Sequence, residues 1–210
     1  FAEPGKLVLA PVPLGLTASN DGLLVVATNN RERDALVVNV AKRAVATTLR
    51  GHSGTVAACC LFAGDQRVAT AASDGTVRVW KARSGSEQLC VNTGGCDATC
   101  LAASPAERSV LLMGTRQGLL AAWDARDGAS LLRLHAHTAA VTGLVFVDAR
   151  RALSCSADGT ALMIDVQQGA ALCAFAPCSA GVCAVACAGL GGRLPGTAAV
   201  RVFAAWQSGR

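Results

Sequence analysis

The chain has 210 residues and a net charge of +5, with 52% hydrophobic and 16% charged residues. These two fractions are respectively high and low for a soluble domain, and they indicate a well-buried core. The basic residues form short, widely separated pairs such as Lys42/Arg43 and Arg150/Arg151, whereas a nucleic-acid-binding protein needs a concentrated basic patch. We therefore expect no nucleic acid as a partner.

Short runs rich in Val, Leu, Thr and Ala predict strands along the whole chain, and no stretch has sustained helical periodicity. The first strand of each unit is predicted at residues 14–19, 55–62, 99–104, 141–147 and 182–188. The second is predicted at residues 23–28, 67–72, 110–114, 152–156 and, interrupted by Pro195, at 193–197. A turn of the Asp-Gly type then leads to a third strand, and a fourth follows, as at residues 87–92, 130–134 and 170–176. The predicted class is all-β.

The third strands recur with a regular period. Their closing residues are Val40, Trp80, Trp123, Ile164 and Phe203, at steps of 40, 43, 41 and 39 residues. A period of this size predicts the four-stranded blades of a β-propeller. About five blades fill residues 1–210 as one domain.

The best-formed unit contains His52 after a glycine, then Thr70, Asp74 and the closing Trp80. It resembles the WD-repeat (Trp-Asp repeat) family of β-propellers, whose pattern is Gly-His, Ser/Thr, Asp and a closing Trp-Asp. The resemblance implies a hydrogen-bonded chain through these four side chains, which holds the loop entering a blade to its inner strands. Such groups satisfy one another when they are buried together, where an unpaired member is costly.

The other units keep this pattern less completely. One ends at Ile164 without an indole, and it retains the other polar members, His137, Ser154 and Asp158. Another ends in Trp123-Asp124, but its polar positions hold Cys96, Met113 and Gln117. The best unit itself has Lys81 in place of the final Asp, and the first and last units keep little beyond their strand pattern.

The resemblance also implies a larger ring, because this family most often closes seven blades and closure removes exposed strand edges. We therefore expect a fragment of a longer protein, with a complete five-bladed ring as the alternative. Residues 191–196, Gly-Gly-Arg-Leu-Pro-Gly, occupy the place of an inner strand, for which Gly and Pro are poor residues. The last unit is thus expected to be truncated or to contain a sequence error.

Residues 169–192 contain no charged residue and are long enough to span a bilayer. They are rich in Ala, Gly, Cys and Ser, they contain Pro177, and they stay in register with the repeat. We therefore expect strands here and no insertion into a membrane.

The ten cysteines raise the alternatives of a metal site and a disulfide framework. The possible ligand groups are Cys96/Cys100, Cys178/Cys183/Cys187 and His135/His137, and none has the Cys-x-x-Cys spacing of structural zinc sites. Cysteines inside strands behave as small hydrophobic residues. We expect free cysteines, no metal and an intracellular protein, in the cytoplasm, with the nucleus or cilium as alternatives.

No nucleophile elbow, phosphate-binding loop or catalytic Cys–His pattern is present, and Asp74 and Asp158 both occupy turn positions. We therefore expect no enzyme, no catalytic residues and no cofactor. One enzymatic hypothesis is nevertheless kept for comparison. A propeller hydrolase would need carboxylates clustered at a central cavity.

The first hypothesis, implied by the resemblance, is a non-catalytic scaffold that binds other proteins through its loop-lined faces. The candidate contact residues are Ser53, Thr55, Ser73, Arg116, Thr138 and Ala157. The second hypothesis is a regulatory or sensor propeller module of a larger multidomain protein, with an enzymatic or nucleotide-switch domain outside this chain.

Overall fold

A computed structural model describes residues 13–19, 21–29, 33–105, 110–175, 182–188 and 201–206. Within these ranges the chain forms strands and turns and no helix, which confirms the predicted all-β class. Val, Ala, Leu and Thr dominate the strands, as expected for residues that pack on a pleated, half-buried surface.

The first two sheets each contain four antiparallel strands, paired in chain order. Sheet 1 consists of β1 (Pro13–Ala18), β2 (Leu24–Asn29), β3 (Ala35–Asn39) and β4 (Ala44–Leu49). Sheet 2 consists of β5 (Val56–Phe62), β6 (Arg67–Ala72), β7 (Thr76–Lys81) and β8 (Glu87–Asn92). The predicted Asp-Gly turn at residues 74–75 precedes β7, so the third strand begins at Thr76.

The next two sheets repeat this plan. Sheet 3 consists of β9 (Ala98–Ala103), β10 (Val110–Thr115), β11 (Leu119–Asp124) and β12 (Ser130–His135). Sheet 4 consists of β13 (Val141–Phe146), β14 (Arg151–Ser156), β15 (Ala161–Asp165) and β16 (Ala170–Phe175). Four complete four-stranded sheets confirm the predicted blades.

The last unit differs in its pairing. Sheet 5 contains β17 (Val182–Ala188) and β18 (Arg201–Trp206), which pair directly, with Phe203 opposite Ala186. In the other units the third strand pairs with the second strand instead. The second strand predicted at 193–197 lies outside the described residues, as do residues 191–196.

The sheets are stacked around their first strands. β1 packs against β5, β5 against β9, β9 against β13, and β13 against β17. The fourth strands lie at the outer edge, where most of their residues are exposed. This radial arrangement is that of a β-propeller.

The core consists of apolar layers between consecutive sheets. Trp80 packs between sheets 1 and 2, Trp123 between sheets 2 and 3, and Ile164 between sheets 3 and 4. In sheets 2 to 4 the closing residue of the third strand therefore faces the preceding sheet. Beside these layers, the turns before β8 and β12 approach the preceding fourth strand closely: a Cβ on Gly85 would lie 2.5 Å from Cγ2 of Thr47.

Candidate functional site: the loop end of the sheets

Two kinds of connection meet at one end of sheets 2, 3 and 4. Because neighbouring strands run antiparallel, the loop that enters a sheet lies beside the turn between its second and third strands. We call this the loop end; in sheets 2 to 4 it comprises residues 50–55, 73–75, 93–97, 116–118, 136–140 and 157–160.

In sheet 2, four side chains form a continuous chain of hydrogen bonds. In its neutral form, His52 donates from Nδ1 to Oδ2 of Asp74 at 2.9 Å, and its Nε2 accepts from the Thr70 hydroxyl at 2.8 Å. The indole N–H of Trp80 donates to Thr70 Oγ1 at 2.8 Å. The rings of His52 and Trp80 also meet edge-on, with centroids 6.1 Å apart. Every donor and acceptor has a partner in this tautomer, so the cluster is stable without a charge on His52.

The Asp74 carboxylate joins the entering loop to the turn. Its Oδ2 also accepts the backbone N–H of Ser53 at 2.9 Å, and its Oδ1 accepts the backbone N–H and the hydroxyl of Thr76 at 3.0 and 2.7 Å. Thr76 is a member that the sequence pattern did not single out. The signal was available, because Asp-Gly-Thr occurs at the same place in sheets 2 and 4.

Burial and hydrogen bonding shift the pKa values of both ionisable members. Burial lowers the pKa of His52 below its usual value, although the Asp74 carboxylate opposes the shift. Burial alone would raise the pKa of Asp74, but hydrogen bonds from Thr76, His52 and Ser53 outweigh it and hold that pKa well below its usual range. At neutral pH the cluster therefore holds a neutral imidazole and a carboxylate.

Sheet 4 contains a second version of this cluster. The Ser154 hydroxyl donates to Nε2 of His137 at 2.8 Å, and Nδ1 donates to the Thr160 hydroxyl at 2.8 Å. Asp158 accepts from Thr160 and from the backbone N–H of Thr138, and its Oδ2 lies 3.4 Å from Nδ1 of His137. In place of the tryptophan, Ile164 is fully buried.

The same two shifts recur in sheet 4. Burial lowers the pKa of His137. For Asp158, burial raises the pKa, but hydrogen bonds from Thr160 and Thr138 prevail and lower it to about 2.

In sheet 3 apolar packing occupies the corresponding place. Met113 opposes Ala121 in the register that Thr70 and Arg78 have in sheet 2, and it is fully buried. Trp123 is buried in the same layer. Gln117 is exposed, and Cys96 accepts from the Arg133 guanidinium at 3.5 Å. Sheet 3 thus keeps the blade geometry with a different interior.

The family model of the WD domain, G-beta repeat, matches residues 43–81 and 128–165. These two ranges contain the two clusters in full. These two units of the chain are therefore similar to WD repeats in both sequence and structure. Neither range includes β9, β10 or β11, the strands around Met113.

A curated WD-repeat relative is the DENN domain and WD repeat-containing protein SCD1 of Arabidopsis thaliana, 31% identical over 123 residues. The match covers 58% of this chain and 10% of the relative, so the chain spans about a tenth of that protein's length. Among solved structures, the computationally designed Ika8 protein superposes with a TM-score of 0.70 at 23% identity. That match covers 81% of this chain and 51% of the designed chain, and it shows the fold.

The candidate contact residues all lie at the loop end, on sheets 2, 3 and 4. Ser53, Ser73, Arg116, Thr138 and Ala157 are exposed, and Thr55 is half-buried. Two of the hydroxyl groups have structural partners: Ser73 Oγ accepts the backbone N–H of Thr55 at 2.9 Å, and the Thr138 hydroxyl reaches Asp158 at 3.4 Å.

The residue after the closing position also has a defined role, which the sequence pattern revealed only in part. Asp165 follows Ile164 and accepts the backbone N–H groups of Gln167 and Gln168 in the turn to β16. Asp124 forms a bidentate pair with Arg126 in the equivalent turn of sheet 3. The sequence singled out Asp124 but not Asp165, because the Trp-Asp pattern is broken by the isoleucine.

Cys59, Cys60, Cys90, Cys96, Cys100 and Cys173 are free thiols. Burial raises the pKa values of the Cys59 and Cys100 thiols to about 12, so both are unreactive at neutral pH. Among described residues, no group of three or more His, Cys, Asp or Glu side chains is arranged to hold a metal ion. Cys178 lies outside the described residues, and only the backbone is described at Cys183 and Cys187.

The described parts of the chain contain no helix that is long and apolar enough to cross a membrane.

Proposed function

We propose that this chain is a non-catalytic platform for other proteins, which bind across the loop end. The observation that carries the proposal is that an aspartate on the turn fixes the entering loop in two sheets. The backbone N–H of Ser53 donates to Asp74, and that of Thr138 donates to Asp158, both at 2.9 Å. A surface that is held in place before binding loses less conformational entropy when a partner docks.

The chemistry of this end supports protein binding rather than catalysis. Both carboxylate oxygens of Asp74 and of Asp158 already accept hydrogen bonds within the clusters. Both lowered pKa values keep these groups ionised at neutral pH, so neither is suited to act as a general acid there. The exposed side chains are small hydroxyl groups, an alanine and Arg116, a mixture that suits a polar protein interface.

A comparison of two charge-matched double variants tests this proposal. Arg116→Glu with Ala157→Arg alters two exposed loop-end positions, whereas Lys42→Glu with Gln168→Arg alters two exposed positions at the opposite end. Both should unfold at the wild-type temperature. Proteins captured by the wild-type chain from a cell extract, and identified by mass spectrometry, should be lost with the loop-end variant and retained by the other. Equal retention by both variants would place the interaction elsewhere.

A second candidate is a regulatory or sensor module within a larger multidomain protein. It is favoured by the relative SCD1, whose name joins a DENN domain and WD repeats in one protein. The sequence of the full-length transcript tests this candidate directly. An additional domain joined to the propeller is expected, and a transcript that encodes the propeller alone would exclude it.

We also propose an intracellular location, in the cytoplasm, supported by the free cysteines in the described strands. A membrane-impermeant thiol reagent should label Cys90 and Cys173, which are exposed, only after cells are permeabilised. Labelling in intact cells would contradict this location.

A further inference from the structure

The end of the sheets opposite the loop end differs in charge between blades. In sheets 3 and 4 the closing residue is followed by a carboxylate that pairs with an arginine. Arg126 Nη2 lies 2.5 Å from Asp124 Oδ2, and Arg150 Nε lies 2.6 Å from Asp165 Oδ2. Each of these blades therefore neutralises a nearby arginine with the aspartate that follows its closing residue.

Sheet 2 keeps the cation and lacks the carboxylate. Its segment Lys81-Ala82-Arg83 aligns with Asp124-Ala125-Arg126, so Lys81 stands where the aspartate belongs. Arg67 lies directly opposite Lys81 in the β6–β7 register, with its side chain on the same face. Like charges that face each other across a strand pair are destabilising, and within the described residues the three side chains form no hydrogen bond or ion pair.

These three cations line a cavity of about 580 Å³. The remaining described lining residues are Gln66, Ser84 and Gln88, and no carboxylate is among them. The volume falls within the range of about 300–1,000 Å³ that is usual for ligand pockets. The lining offers many hydrogen-bond donors and carries the charge of three cations, which suits an anionic occupant.

We propose that this cavity binds an acidic segment of a partner protein. Carboxylates from that segment provide the negative charge that Asp124 and Asp165 supply in sheets 3 and 4, and they relieve the repulsion between Arg67 and Lys81. The two glutamines and Ser84 hydrogen-bond to the backbone of the bound segment. This site is separate from the loop end, so the two surfaces can be occupied independently.

The lining chemistry favours an acidic peptide over other anionic partners. No described lining residue is apolar, so the site offers nothing to insert into a membrane surface. No aromatic side chain is available among them to stack on nucleic-acid bases.

Fluorescence anisotropy with the full chain tests the proposal. The probe is a labelled glutamate-rich peptide, and the same peptide with glutamine in place of glutamate is the uncharged control. The wild type should bind the first and not the second. Lys81→Asp, which restores the residue type of the neighbouring blades, should weaken binding by about tenfold or more, because a charge-assisted hydrogen bond is replaced by repulsion.

Arg33→Asp is the matched control, since it makes the same change of net charge at an exposed position just before β3, outside the cavity. It should leave binding of the glutamate peptide within about twofold of the wild type. If Lys81→Asp does not fold, as judged by thermal unfolding, Arg83→Gln replaces it with the same expected loss.

Three outcomes would overturn the proposal. In the first, the glutamate peptide does not bind to the wild type. In the second, both aspartate variants weaken binding of the peptide equally, which would show an effect of net charge alone. In the third outcome, vesicles containing phosphatidylserine or a single-stranded oligonucleotide bind in a Lys81-dependent manner while the peptide does not.

Discussion

Sheets 2 and 3 have the same strand order and the same register but different interiors. In sheet 2 a buried hydroxyl, Thr70, joins His52 to Trp80, whereas in sheet 3 the equivalent position holds Met113 in an apolar layer. A four-stranded blade therefore forms with or without the polar cluster. What the cluster adds is a fixed entering loop, because Asp74 holds both His52 and the backbone of Ser53.

The largest difference between sheets with and without the polar cluster is expected in their stability at acidic pH. Asp74 and Asp158 have lowered pKa values in the folded state, so the stability they contribute is full above their unfolded pKa, near 3.8, and is lost as the pH falls below it. The shift of Asp158 to about 2 corresponds to a stabilisation on the order of 2 kcal/mol. The lowered pKa values of His52 and His137 act in the same direction from about pH 6.5 downward, because only the unfolded chain readily takes up those protons.

Denaturant unfolding between pH 7 and pH 2 measures this loss. Amide hydrogen exchange over the same range locates it: residues 50–55 and 136–140 should lose protection at a higher pH than β10 and β11. Simultaneous loss of protection in all of these segments would contradict a role confined to the clusters.

The second largest effect is expected from Asp74→Ala. Removing this carboxylate leaves donors of His52, Ser53 and Thr76 without their partner, and the free energy of unfolding should fall by about 1–3 kcal/mol. The matched change in sheet 3 is Gln117→Ala, at an exposed position, which should cost less than about 0.5 kcal/mol. Equal losses in urea denaturation would mean that the cluster adds nothing to sheet 2.

The smallest effect on the free energy of unfolding is expected from Lys81→Asp, and it is an increase in stability. The new carboxylate would lie near Arg83, as Asp124 lies near Arg126, and would remove the repulsion with Arg67. Because Lys81 and Arg83 are exposed, the gain in unfolding free energy should be a few tenths of a kcal/mol. Asp124→Lys is the reverse change in sheet 3 and should destabilise by a larger amount, since Asp124 is buried. A loss of stability in Lys81→Asp would show that the two turns are not equivalent.

Much of the fold follows from the sequence because two signals agree. The forty-residue period and the Asp-Gly turns predict the strands of sheets 1 to 4 to within a few residues. The positions of His52, Thr70, Asp74 and Trp80 come from the family pattern, and the structure brings these side chains within hydrogen-bonding distance.

Other features depend on register and could not be obtained from the pattern alone. Thr160 contacts His137 because the turn at residues 157–159 returns the chain to the start of the entering loop. Arg67 meets Lys81 only because β6 and β7 pair with these residues opposite each other. The direct pairing of β17 with β18 was also not expected, since the strand pattern predicted an intervening strand.

Hydrogen exchange on Asp74→Asn tests the central claim, that the buried clusters hold the entering loops in place at the binding end. This variant keeps the size of the side chain and removes its charge. The account predicts faster exchange at the Ser53 amide and across residues 50–55, with β5, β6 and β7 as protected as in the wild type. Unchanged exchange in the loop, or loss of protection throughout sheet 2, would contradict it.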